Sequence, residues 1–91
     1  KDKPRPAKRA TREDLLALRT ELRKCEQRVE KLGDMAEKLS QKLADPTLYE
    51  DGKIGEMEVW QRKYAEVRDA QDRAEDLWMR ALEKLETAES A

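Results

Sequence analysis

The sequence predicts an all-α protein. Two helices fold back on each other as an antiparallel intramolecular coiled coil, a helical hairpin, behind a disordered basic N-terminal arm. Three observations carry this reading. Leu15, Leu22, Val29, Ala36 and Leu43 recur at every seventh position, and Leu18, Cys25, Leu32 and Leu39 fill the second core position of the same heptad. The pattern resumes after a short break, with Met57, Tyr64, Gln71, Trp78 and Leu85 at one position and Trp60, Val67, Ala74, Ala81 and Ala88 at the other. Finally, 37% of the chain is hydrophobic and 45% is charged. That is too little apolar surface for a globular core, but it suffices for a helix pair that buries only one seam. Disordered chains reach similar charge, but they do not sustain heptads.

Residues 1–10, KDKPRPAKRA, hold Pro4 and Pro6 and show no apolar period, as expected of an extended linker. Six basic residues through Arg12 stand against Asp2 alone, whereas the rest of the chain has 14 basic and 20 acidic residues. A net charge of −1 therefore hides a basic arm on an acidic hairpin. Thr11 is a good N-cap, and Glu13 and Asp14 put negative charge on the first-turn N–H groups. The first helix is expected over about residues 12–44, because Pro46 cannot continue it and disfavours helix at Asp45. Gly33, in its interior, costs about 1 kcal/mol relative to Ala and marks a soft point or a close approach.

Residues 45–53 form the connection, and the hairpin as a whole takes up residues 11–91. Asp45 followed by Pro46 reads as a cap and first helical position, so Pro46 to Tyr49 is expected to make one short turn. Asp51-Gly52 signals a tight turn. Leu48 and Tyr49 are expected to fold onto Leu43 and Ile54 and close the tip. The second helix is expected over about residues 54–88. Of the two registers that align the seams, one sets Ala36 against Trp60, Val29 against Val67 and Leu18 against Trp78. It also brings Lys42 near Glu56, Glu26 near Arg68 and Arg19 near Glu75, and these pairs favour it. Gln71 would then face Cys25 and pin the register.

Most catalytic chemistry lacks its residues here. The chain has no His and one Cys, at a core position where it reads as a small buried hydrophobe rather than a reactive thiol. There is no Gly-rich phosphate loop. The 21 carboxylates are interleaved with Lys and Arg on helix faces, as solubilising surfaces are. A bare hairpin also offers no cleft, so the chain is not expected to be an enzyme or to hold a cofactor or metal. No run approaches the roughly 20 apolar residues of a membrane span, and no signal-peptide pattern appears. A cytoplasmic, monomeric segment of a longer protein is expected.

The basic residues are the functional signal. A flexible arm with this charge binds phosphates by counterion release, without sequence preference. Lys24, Arg28, Lys31, Lys38 and Lys42 occupy neighbouring c and g positions and form a stripe on one flank of the first helix. Glu26, Glu30 and Glu37 lie on the other flank. The candidate nucleic-acid contacts are thus Arg5, Lys8, Arg9 and Arg12 from the arm, and Lys24, Arg28, Lys31 and Lys38 from the stripe. The second helix, with six basic and ten acidic residues, is expected to turn nucleic acid toward the first. A rival reading makes the hairpin a protein-docking module, with Leu16, Leu77 and Leu82 as an apolar patch near the open end.

Two segments carry a resemblance. The junction KLADPTLYEDG (Lys42 to Gly52) and the ending AEDLWMRALEKLE (Ala74 to Glu86) are similar to the C-terminal domain of F-subfamily ATP-binding-cassette ATPases. The D-P-x-L-Y-like loop falls on Asp45, Pro46, Leu48 and Tyr49, and the acidic Trp ending falls on Glu75, Trp78 and Glu83. The ending departs from the pattern, because Met79, Arg80, Ala81 and Leu82 separate Trp78 from Glu83. The resemblance implies a cytoplasmic parent with two nucleotide-binding cassettes that use ATP and Mg²⁺ upstream of this segment. It also implies work on ribosomes or related nucleic acid (DNA, ribosomal RNA or transfer RNA), with this domain as an appendage. No ATP-binding residue maps onto the chain.

Overall fold

The structure, a computed structural model, describes residues 10–90. Helix α1 spans Arg12–Leu43, a single 3₁₀ turn spans Pro46–Tyr49, and helix α2 spans Ile54–Ser90. The two helices pack antiparallel along their length, and the 3₁₀ turn packs against both. The expected arm, residues 1–10, lies almost wholly outside the described residues.

The seam is where the heptads put it. All nineteen a and d positions of the two helices are buried or half-buried, while nearly every other helix position is exposed. Ala36, Ala74, Ala81 and Leu85 are the most deeply buried helix residues. Alanines at these seats let the backbones approach, and the larger seam residues fill the space around them. Trp60, Tyr64 and Trp78 are half-buried in the same seam. The indole N–H of Trp78 is buried without a partner, which costs on the order of 1–3 kcal/mol.

Both ends of α1 are closed, the first by side chains and the second by backbone N–H groups and Tyr49. Thr11 Oγ1 accepts from the Asp14 N–H at 3.0 Å, and Asp14 Oδ2 accepts from the Thr11 N–H at 3.1 Å, a reciprocal capping box. At the C-terminus the Ala44 N–H reaches the Ser40 and Gln41 carbonyls, and the Asp45 N–H reaches that of Lys42. The Leu43 carbonyl accepts from the Tyr49 hydroxyl. The last four carbonyls of α1, orphaned in any helix, are therefore all satisfied, and Tyr49 acts as a clasp. Tyr49 is nonetheless 56% exposed and Ile54 67% exposed, so the tip closes on Leu48 and the Tyr49 hydroxyl rather than on Ile54. Asp45 Oδ1 accepts from both the backbone N–H and the hydroxyl of Thr47, at 3.0 and 2.9 Å. These bonds, with smaller help from Lys42 and Lys53, hold its carboxyl below the usual carboxylate range. Gly52 takes φ +84°, a left-handed conformation that suits Gly, and turns the chain into α2.

The register is a correction. Lys42 Nζ lies 5.2 Å from the ring of Trp60. Gly33 faces the Gln71 side chain, Leu18 lines a groove with Arg80, Lys84 and Ala88, and Val67 lines one with Met35 and Leu39. Each places α2 about one heptad from the register that the charge pairs favoured. Among the described residues the Lys42–Glu56, Glu26–Arg68 and Arg19–Glu75 pairs do not form; Arg19 instead meets Glu89 at 3.2 Å. Gln71 sits beside Gly33 rather than Cys25, and its Oε1 accepts from Arg68 at 3.3 Å.

The physical reason is apolar burial. In the expected register the last turn of α1 would take the place of Leu48, and Leu85 and Ala88 would run past the start of α1. In the observed one Leu48 is 3% exposed and Leu85 is 7% exposed. Burying one leucine is worth about 1.5–3 kcal/mol, and an exposed ion pair about 0.2–1 kcal/mol. The 3₁₀ turn is thus an extra rung of the seam, which moves the hairpin by seven residues.

Candidate nucleic-acid interface

A heptad has two flanks beside its seam, and in an antiparallel pair like positions of the two helices meet on each flank. The grooves show which residues share one. Arg28 and Lys31 of α1 line a groove with Ala70, Arg73 and Leu77 of α2. Lys38 shares the next with Lys63 and Glu66, and Leu18 the third with Arg80 and Lys84. All three open on the side formed by the c and g positions of both helices. Those positions hold nine cations and four acids. The e and b positions on the opposite side hold four cations and eight acids. The hairpin is therefore two-faced in charge.

The sides are separated by roughly the 10–12 Å thickness of a helix or more, beyond the Debye length of about 8 Å at physiological salt. A polyanion on the c/g side is therefore attracted by its cations and largely screened from the acids behind. Lys24, Arg28, Lys31 and Lys38 are all exposed. Among the described residues the ion pairs are Arg19 with Glu89 and Arg80 with Asp76, so none of the four stripe cations is spent on an acid of α2.

The expected site residues divide as follows. Lys24, Arg28, Lys31 and Lys38 come together on one side, joined by Lys42 above Trp60. Arg12 is exposed at the first position of α1, on the e side, and does not continue the stripe. Arg5, Lys8 and Arg9 lie outside the described residues. The apolar candidates do not form one patch. Leu16, 63% exposed, lines a shallow groove with Glu13, Ala17 and Lys24, whereas Leu77 lies in the Arg28–Arg73 groove and Leu82 is half-buried beside the seam.

Sequence reasoning missed Lys63, Arg73, Arg80 and Lys84. Averaged along α2, acids outnumber bases, and the helix reads as repelling nucleic acid. Four of its six cations nonetheless occupy c and g positions and face the same way as the α1 stripe. The signal was available in the heptad phase of each charge. Among the described residues no group of three or more His, Cys, Asp or Glu side chains is placed to hold a metal ion. No helix is long and apolar enough to cross a membrane among the same residues. No protein-family model, curated protein or solved structure matches the chain.

Proposed function

We propose that this hairpin is a nucleic-acid-binding appendage that anchors or positions a cytoplasmic ATPase of the F-subfamily ATP-binding-cassette type. Binding is tolerant of sequence and runs through phosphates. Arg5, Lys8, Arg9 and Arg12 make the first contacts, and Lys24, Arg28, Lys31 and Lys38 hold the backbone along the hairpin. The observation that carries the reading is the gathering of nine cations on one side of a chain whose net charge is −1. The link to an ATPase rests on the Asp45–Tyr49 loop and the Trp78 ending alone.

Fluorescence anisotropy of labelled duplex DNA and structured RNA at two salt concentrations tests this. Affinity falls steeply with salt, with a slope near −0.9 per phosphate neutralised on B-form DNA. Charge reversal at Lys8, Arg9 and Arg12 weakens binding; affinity unchanged by it contradicts the role of the arm. The rival reading, docking onto an ATPase core or another protein, is supported by the exposure of Leu16 and Leu77. Under that reading Leu16→Ser abolishes docking and spares nucleic-acid affinity.

A further inference from the structure

Resting on the nucleic-acid reading above, we infer that the binding site is a composite groove, in which Lys63, Arg73 and Lys84 of α2 act with the α1 stripe to clamp the phosphodiester backbone of a duplex. The grooves supply the geometry. Arg73 lies with Arg28 and Lys31, and Lys63 with Lys38, each set drawing from both helices. Lys84 continues the line toward the open end, beside Leu18. From Lys63 to Lys84 the row runs for about 30 Å at 1.5 Å per residue. That approaches one turn of B-form duplex, about 34–36 Å.

The side chains between the cations favour a duplex over a single strand. Single strands are held by stacking bases on exposed aromatic rings. The large apolar side chains exposed on this side are Met35, Val59 and Leu77, all aliphatic. Trp60, the aromatic nearest the row, is half-buried and has Lys42 over its ring. A straight cationic row without stacking platforms fits regularly spaced phosphates. The acids on the e and b side also leave only one way round for the hairpin to lie on a polyanion. The composite groove further explains why the register matters: a slip of one heptad would separate Arg73 from Arg28 and Lys63 from Lys38.

The test compares two double reversals of equal charge in the full chain, Lys63→Glu/Arg73→Glu in the groove and Arg23→Glu/Arg62→Glu away from it. Each is titrated into duplex DNA, duplex RNA and single-stranded DNA, with circular dichroism melting of every variant. The groove variant is expected to bind duplex at least about tenfold more weakly and to lower the salt slope by about 2, one per lost phosphate contact. The outer variant is expected to change far less. If Lys63→Glu/Arg73→Glu does not fold, Lys63→Gln/Arg73→Gln takes its place and shows the same ordering with a smaller loss. Equal loss in both variants means attraction by overall charge and overturns the groove, as does single-stranded DNA binding as tightly as duplex. Either result leaves the broader nucleic-acid reading standing. No binding of the unaltered chain to any of the three at low salt removes that reading and the groove with it. Comparing the DNA and RNA duplexes identifies which source of phosphodiester the groove takes.

Discussion

Leu85 and Lys84 are neighbours on α2, yet they answer to different demands. Leu85 is 7% exposed in the seam, whereas Lys84 is exposed on the cationic side. The same division runs the length of the hairpin. Seam residues fix which helix faces touch and in what register, through apolar burial worth a few kcal/mol per large side chain. Flank residues add little to stability, since exposed charge pairs are worth under about 1 kcal/mol. They are therefore free to carry an electrostatic pattern. Charge read as a stabilising force misplaced the register, and the same charge read as a surface pattern located the candidate site.

The strongest challenge to this division is Leu48→Ala. It empties a seat that is 3% exposed at the tip and should cost about 2–5 kcal/mol. A thermal melt should fall by roughly 10 °C or more. A loss near zero would mean that the 3₁₀ turn does not set the register. On the flank, Arg28→Glu/Lys31→Glu should leave the melt nearly unchanged and weaken duplex binding about tenfold or more, about 1.4 kcal/mol. The matching reversal on the other side, Glu26→Lys/Glu30→Lys, should alter affinity far less, and equal effects would erase the contrast between sides.

Smaller effects sharpen the account of the seam and its closure. A Cβ at Gly33 meets only Gln71 Nε2, at 4.0 Å, which is ordinary contact. Gly33→Ala should therefore stabilise the hairpin by about 1 kcal/mol through helix propensity, seen as a higher melting temperature; a lower one would show that the glycine is needed for close approach. Tyr49→Phe removes the hydroxyl that satisfies the Leu43 carbonyl and should cost about 0.5–1.5 kcal/mol, read from the same melts. The last concerns acid. Thr47 holds the Asp45 carboxyl below its ordinary value in the folded chain. Its contribution is therefore present above the unfolded value, near 4, and is lost as pH falls through the lower folded value. Asp45→Asn should remove that part of the acid-side decline in melts taken from about pH 6 to about pH 2, and an unchanged decline would assign it to other carboxylates.

Much of the fold was legible because a heptad is a local signal. The nineteen seam positions, the Thr11–Asp14 capping box and the Pro46–Tyr49 turn follow from spacing and residue type alone. The helix ends differ by only a residue or two, at Leu43 rather than 44 and at Ser90 rather than 88. The register was not legible in the same way. Any slip of seven residues keeps apolar against apolar, so the choice depends on what happens at the ends of the seam. There the burial of Leu48 and Leu85 outweighs three exposed ion pairs. The site was half legible: Lys24, Arg28, Lys31 and Lys38 form a row on one helix, whereas Lys63 and Arg73 join them only when the heptad phase of each charge is read across the antiparallel pair. Leu16, Leu77 and Leu82 lie near one end of the hairpin, but Leu77, at a g position, faces the cationic side, whereas Leu16 and Leu82, at b and e, face the other.

The central claim is that, beyond the first turn of α1, polyanion binding is confined to the c and g side of the hairpin. Its most direct test is a heteronuclear NMR titration of the uniformly ¹⁵N-labelled chain with a short DNA duplex. The account predicts amide shifts concentrated at Lys24, Arg28, Lys31, Lys38, Lys63 and Arg73, with Glu26, Glu30, Asp72 and Glu75 scarcely moved. Shifts spread evenly over both sides, or confined to residues before Thr11, would contradict it.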